Sequence, residues 1–446
     1  MLLFRLRERI KHEHVEDCLV QLLRNEKMTS DDLRKWQMTH LNNLLSYLVA
    51  HNPYYSKYIK ERGIDISTDN KTPEEILNNF PIIDKAFIRE NFSNWLSDEL
   101  CYEDVVLRTT SGSTGVPFQF HSSKKADDYK TASKYRLYHR FGVEIDDKQL
   151  CFGASFSQGA TWLQDVKSQI NNRFVNKRYF CDTSHFTDEV INDVINQINN
   201  LHIKSLWGYP SAIFEVAKYA LDNKKQIKNK HLKAIFYSGE GHNDYMNQVI
   251  REIFGENVSI VDEYNSIEGF IGGTFQDGLI HLNDDTAIFE VLKEDGTISS
   301  YGKGELLVTT LFNQEFPFIR YKNGDVVDIS ESTGTIGVPF RVLNSVDGRS
   351  TAFIYNGTTK VSHTMCSHYM PHSYFKSQVK KFQIVQNEKT SVIVKIVPYD
   401  EINLDKQGLE QMYRELFDQI DVSFEYLDDI PREKSGKFRD VIQNIK

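Results

Sequence analysis

Short apolar runs that end in polar, glycine-bearing loops, with amphipathic helices between them, constrain this chain more than any other feature. Ala234-Ile235-Phe236-Tyr237 runs into Ser238-Gly239-Glu240, and Val258-Ser259-Ile260-Val261 runs into a polar loop at Glu263-Tyr264-Asn265. Val190, Ile191, Val194, Ile195 and Ile198 recur at helical spacing after Thr187, a residue suited to cap a helix. Leu41, Leu44, Leu45 and Leu48 do the same in a segment that ends at Asn52-Pro53. Strands alternating with helices imply α/β layers, in which ligands bind beyond the carboxyl ends of the strands. The polar loops fall there.

The texture changes from about 285 to 345. Ile288–Leu292 and Glu305–Leu311 flank an Asp295-Gly296 turn and predict β-hairpins. A β-β-α-β unit then follows, built from Phe382–Gln386, Val392–Val397, a helix marked by Leu409, Met412, Tyr413, Leu416, Phe417 and Ile420, and Ser423–Tyr426. The expected fold class is α/β: a large multi-layer N-terminal domain with a β-rich subdomain, and a small mobile α+β C-terminal domain. The expected boundaries are 1–347 and 348–446, and a chain of 446 residues has length enough for both.

A formal charge of −9 opposes a general nucleic-acid binder, whose footprint would be basic. The apolar run at Met1–Phe4 is too short for a signal peptide, and no stretch approaches a membrane span. Cys18, Cys101, Cys151, Cys181 and Cys366 form no C-x-x-C pair and read as reduced thiols. These features predict a cytoplasmic protein.

Five segments carry candidate chemistry. Thr109-Thr110-Ser111-Gly112-Ser113-Thr114-Gly115 follows the strand-like Val105-Val106-Leu107. Its two glycines let backbone approach an anion, and its hydroxyls add donors, but it has no P-loop lysine. It also misses the nucleophile-elbow pattern by one residue. Tyr264-Asn265-Ser266-Ile267-Glu268 offers an aromatic face for a base and a carboxylate for Mg²⁺. Asp325, in a turn after the apolar strand Phe318–Tyr321, could hold ribose hydroxyls, although Asn-Gly-Asp is also an ordinary hairpin turn. Gly348-Arg349 lies in the expected interdomain stretch. Pro431-Arg432-Glu433-Lys434-Ser435-Gly436-Lys437-Phe438-Arg439 places a lysine after a Ser-Gly turn, where a mobile tip could deliver a point charge. A fully solvated basic tail is the plain alternative.

The order of these motifs resembles the adenylate-forming superfamily, and within it the phenylacetate–CoA ligase and CapK-like branch. Pro53-Tyr54-Tyr55, Phe80-Pro81-Ile82-Ile83-Asp84-Lys85, Gly208-Tyr209-Pro210-Ser211 and Pro317-Phe318-Ile319-Arg320-Tyr321 add to the likeness, which spans roughly 40 to 440. The resemblance implies that a small-molecule carboxylate attacks the α-phosphate of ATP, giving an acyl-adenylate and pyrophosphate. A thiol such as CoA, or an amine in surface-polysaccharide synthesis, then displaces AMP. It implies that Ser111, Gly112, Ser113, Thr114 and Gly115 hold the β- and γ-phosphates, that Gly239 and Glu240 line the adenine, and that Tyr264, with Asn265 beside it, stacks on the base. Glu268 would hold Mg²⁺, Asp325 the ribose, and Arg349 the ribose or phosphate. Lys437 would bridge the carboxylate and the α-phosphate, then leave as the small domain swings about a hinge near Arg349.

Two departures stand out. Asn265 and Ile267 replace the small and hydroxyl residues usual between the Tyr and the Glu, so no side chain at 267 can donate to the α-phosphate. Ser350-Thr351-Ala352 replaces the usual acidic hinge. His363, Cys366, His368 and His372 have metal-ligand chemistry, but their spacing fits no metal motif, and an exposed helix face is the favoured reading. Cys101, Cys151 and Cys181 read as buried small apolar residues. A non-catalytic nucleotide-binding protein is opposed by the joint presence of Lys437, Glu268 and Asp325. A hydrolase built on Ser113 lacks ordered Asp and His partners.

Overall fold

The computed structural model describes all residues except 1, 68–70, 101–104, 111–117, 154–170, 184–185, 350–352, 363–364, 367–369, 371–372, 374, 376–377, 401, 434–435 and 446. The architecture is α/β, as expected. The chain forms two compact units, residues 1–145 with 262–346 and residues 146–261 with 347–446.

In the first unit a mainly antiparallel sheet runs in the order Ile298–Ser299, Ala287–Leu292, Gly302–Thr310, Tyr321–Ile329, Val342–Arg349, Ile280–Leu282, Gly269–Thr274 and Ser259–Ser266. One face buries Ile271, Leu282, Phe289, Val291, Leu306 and Val327. The hairpin Val105–Thr110/Phe118–Ser123 stands apart, in register from Val105↔Ser123 to Thr110↔Phe118. Phe118 and Phe120 anchor it in a cluster with Leu41, Leu44, Leu45 and Leu48 from the helix Ser30–His51. That helix ends where the sequence placed its end. Asn52 then caps the next helix by accepting the Tyr55 N–H at 2.9 Å.

In the second unit four parallel strands lie in the order Ala234–Ser238, Ser205–Gly208, Gln149–Gly153 and Arg178–Asp182. Helices Asp188–Asn200, Pro210–Asp222 and Asp244–Phe254 supply Ile195, Ile198, Val216, Ile250 and their neighbours to its core. Thr187 caps the first of these, its hydroxyl accepting the Val190 N–H at 3.4 Å. The C-terminal β-β-α-β unit appears as Val379–Glu388, Ser391–Pro398, helix Lys406–Leu416 and Asp421–Tyr426. A further strand, Val441–Gln443, completes its sheet parallel to Val379–Glu388.

Two local expectations need correction. Glu263, Tyr264 and Asn265 are not a loop, because the strand runs on from Ser259 to Ser266. Asp325 is not in a hairpin turn either, since Tyr321–Ile329 is one strand, with Gly324 at φ +93° inside it. In the first place the partner strand keeps the backbone paired past the point where the polar residues suggested an end; in the second, Asn323-Gly324-Asp325 bulge between the pairs Lys322↔Leu307 and Val326↔Glu305, and the strand resumes. Cys18, Cys151, Cys181 and Cys366 form no disulfide among the described residues and are buried, and burial pushes the Cys181 and Cys366 thiols up to about 12. Such thiols serve as small apolar groups, as expected for Cys151 and Cys181. Cys101 lies outside the described residues.

Candidate active site

The first unit gathers Tyr264, Glu268 and Asp325 on two strands of one sheet and on the turn beside them. The hydroxyl of Tyr264 donates to Asp325 Oδ2 at 2.8 Å, across 61 positions of sequence. Asn323 Nδ2 donates to the same oxygen at 2.9 Å, while its own side-chain oxygen accepts the Asp325 N–H at 3.0 Å. The carboxylate is thus fixed before any ligand arrives. Tyr264 leans on the apolar core with Ile280 and Val346. Asn265 is exposed and donates to Glu263 Oε2 at 3.3 Å.

Glu268 sits just past the strand end, with its side chain only 7% exposed. Tyr321 Oη donates to its Oε1 at 2.8 Å, and Lys85 Nζ lies 3.6 Å from the same oxygen. Neither partner had been given a role from sequence. The Phe80–Lys85 segment explains how they meet. Ile83 pairs with Tyr321 as a β-bridge, through Ile83 N–H to Arg320 O at 3.2 Å and Lys322 N–H to Ile83 O at 2.8 Å. Asp84 then caps the helix Lys85–Glu90, accepting the Phe87 N–H at 2.8 Å. A proline-flanked apolar run followed by Asp-Lys was the available signal.

Arg320 is the structural member of this group. Its φ of +48° lies in the left-handed region, which is unfavourable for an arginine. A buried fork to Glu290 at 3.0 and 2.6 Å and a bond to Asn78 Oδ1 at 2.6 Å hold it there. Strain of this kind persists where the surroundings over-determine the backbone. It sets the entry of the strand that bears Tyr321 and Asp325.

One carboxylate is a sufficient protein contribution for Mg²⁺, which keeps several waters and takes substrate phosphate oxygens as ligands. Glu268 fits that role. Among the described residues no group of three or more His, Cys, Asp or Glu could hold a metal. Cys366 is buried in the C-terminal core, while His363, His368 and His372 lie outside the described residues. So do Ser111, Gly112, Ser113, Thr114 and Gly115. The strands flanking that loop are described, and Lys85 and Arg89 lie 6.0 and 5.8 Å from the Phe118 ring centroid. Ile267 points its side chain into the cluster that holds Leu41 and Phe318. Packing thus accounts for an apolar residue at this position.

The second unit holds the other group. Glu240 accepts the Phe438 N–H at 2.6 Å and the Ser211 N–H at 3.3 Å. Arg432 donates to Ser211 Oγ at 2.7 Å and to Glu215 Oε2 at 3.0 Å. The Arg432 side chain is only 5% exposed, so this motif is not a solvated tail. Burial pushes the Glu240 carboxyl up, against the pull of Arg432, the Ser211 and Phe438 N–H groups and Lys437. Glu433 N–H donates to Lys437 O at 2.9 Å and Gly436 N–H to Glu433 O at 2.8 Å, a tight turn that presents the half-exposed lysine. Gly239, at φ +78°, lies under the Tyr209 ring. Gly348 and Arg349 end a strand, and the Arg349 side chain is outside the description.

A family model of the CapK C-terminal domain matches residues 354–444. Over 429 residues, 93% of this chain and 90% of the relative, the sequence is 24% identical to Protein CapK of Staphylococcus aureus. A stretch of 134 residues, 30% of this chain and 31% of the relative, is 31% identical to indoleacetate–lysine synthetase of Pseudomonas savastanoi. Among solved structures, 2-hydroxyisobutyryl-CoA ligase in the postadenylation state with 2-HIB-AMP matches with a TM-score of 0.74 at 16% identity, over 94% of this chain and 91% of that one. The chain thus has the fold of adenylate-forming ligases. Its sequence is similar to that of CapK over nearly the whole length, and residues 354–444 form a CapK C-terminal domain.

Proposed function

We propose that the protein is an ATP-dependent, AMP-forming carboxylate ligase. The observation that carries this reading is the contact of Tyr264 with Asp325 within the first unit, where the carboxylate is already oriented by two hydrogen bonds, with Glu268 just past the strand that bears Tyr264. A tyrosine face beside an oriented carboxylate suits a nucleoside, whose base stacks and whose ribose offers two hydroxyls. Glu268 would hold Mg²⁺, and the metal would neutralise phosphate charge as pyrophosphate leaves. The loop Ser111–Gly115 would cradle the β- and γ-phosphates. Gly239, Glu240 and Asn265 would border the nucleotide, and Arg349 would contact ribose or phosphate.

Lys437 would stabilise the charge that develops between carboxylate and α-phosphate. In this reading 1–347 forms the adenylation domain and 348–446 a lid that delivers the lysine. Glu240 would then have two tasks, bordering the nucleotide and holding the lysine turn through the Phe438 amide. Transfer of the acyl group to a thiol, CoA in the first instance, is supported by the likeness to a CoA ligase. Transfer to an amine, in surface-polysaccharide synthesis, is supported by the local likeness to an acid–lysine synthetase and by the CapK kinship. The test is ATP–pyrophosphate exchange across a panel of aryl, fatty, amino and uronic acids, followed by mass spectrometry of products formed with CoA or amines. Absence of exchange with every acid would overturn the reading.

A further inference from the structure

The first unit holds a partly open cavity of about 50 Å³, with Glu268 in its wall. Its polar wall includes Lys130, Ser266 and Thr310, and its apolar wall includes Phe270, Phe289 and Phe312. Lys130 arrives there on the helix Lys124–His139, which Ser123 caps by accepting the Ala126 N–H at 3.2 Å. Ala126, Tyr129, Lys130 and Ser133 share one face of that helix and all line the cavity.

Three observations indicate a missing anion. First, among the described residues the one hydrogen-bond partner of Lys130 is the Ile267 carbonyl, at 2.6 Å. An ammonium has three donors. Second, the nearby charges are committed elsewhere. Asp127 is held by Arg108 and by Ser122 at 2.9 Å, Glu268 by Tyr321 and Lys85, and Glu263 faces Lys134 at 3.6 Å. Among the described residues Lys130 makes no such ion pair, and burial lowers it to about 8 against the pull of Asp127 and Glu268. Third, Thr310 lines the same cavity, and its Oγ1, shielded from solvent, has no hydrogen-bond partner among the described residues. Buried polar atoms are normally satisfied, and a hydroxyl on a cavity residue reaches a ligand or water by a turn of its side chain.

We propose that this cavity receives the distal carboxylate of a short dicarboxylic acid, paired with Lys130 and hydrogen-bonded by Thr310. The proposal rests on the ligase reading and names its substrate class. The size supports it: at about 10–15 Å³ of such volume per water, roughly four positions are available. A carboxymethyl group has that many heavy atoms. The proximal carboxyl would then lie toward Glu268, the side at which adenylation is proposed.

The test uses the full chain, with calorimetry of malonate, succinate and glutarate against propionate, butyrate and valerate. At least one diacid should bind about tenfold or more tightly than its matched monoacid. Lys130→Gln, which keeps an amide donor for the Ile267 carbonyl, and Lys130→Met should both erase that preference. Thr310→Val should weaken the diacid several-fold, with Mg-ATP binding unchanged within about twofold in all three variants. A wild type without diacid preference, or a preference that survives Lys130→Gln, overturns the proposal. Loss of Mg-ATP binding instead would assign Lys130 to nucleotide phosphate and overturn it too. Lys130-dependent diacid binding without ATP–pyrophosphate exchange for any acid would sink the ligase reading and leave the subsite standing. Exchange with monoacids that Lys130→Gln leaves intact would do the reverse.

Discussion

Removing Arg432 should release the turn that carries Lys437. The Arg432 guanidinium makes three hydrogen bonds within the second unit, to Ser211 Oγ at 2.7 Å, to Glu215 Oε2 at 3.0 Å and, more weakly, to Gly436 O in the turn itself at 3.4 Å. Bonds to charged groups contribute about 1.5–3 kcal/mol each when buried. Both carboxylate and guanidinium are largely shielded, at 18% and 5% side-chain exposure. Lys381 at 3.9 Å still partly compensates Glu215 after truncation, which lowers the sum. Arg432→Ala should therefore weaken anchoring by about 2–4 kcal/mol, or roughly 30- to 1000-fold in the docked-to-released ratio. Hydrogen exchange reads this directly. The amides of Glu433, Gly436 and Phe438, bonded to Lys437 O, Glu433 O and Glu240, should exchange at least about thirtyfold faster. Amides of the parallel strands Gln149–Gly153 and Ser205–Gly208 should keep their protection. Unchanged exchange at 433–438 would show that the Arg432 bonds do not hold the turn, and the anchoring argument would fail.

Other substitutions test other parts of the account. Tyr264→Phe removes the bond to Asp325 while keeping the ring, so KM for ATP should rise about three- to tenfold with little change in kcat. Gly208→Ala would put a Cβ 2.2 Å from the Phe152 carbonyl oxygen at a φ of +144°. Thermal unfolding should show a loss of about 2–4 kcal/mol, as overpacking and backbone strain act together. Arg320→Met strands the Glu290 carboxylate in the core, and chemical denaturation should report a cost of about 3–5 kcal/mol.

The parts of the fold legible from sequence are those with strong periodicity or a clear cap. The helices ending at His51 and beginning after Thr187, and the C-terminal β-β-α-β order, follow from apolar spacing that tertiary contacts reinforce. The ends of Ser259–Ser266 and the continuity of Tyr321–Ile329 were not legible, because pairing with neighbouring strands overrides local polarity. The same split holds for the site. Tyr264, Glu268 and Asp325 stood out by residue type and order. Lys85, Tyr321 and Lys130 did not, because their value comes from long-range proximity to Glu268 or to the cavity beside it. Arg432 was visible only as part of a basic tail; its burial against Glu215 depends on contacts across 217 positions.

The central claim is that Lys437 supplies the charge which the loop Ser111–Gly115 lacks, and carboxylate-dependent ATP–pyrophosphate exchange in Lys437→Ala tests it most directly. The account predicts exchange reduced to background while Mg-ATP still binds. A variant that exchanges at the wild-type rate would contradict it.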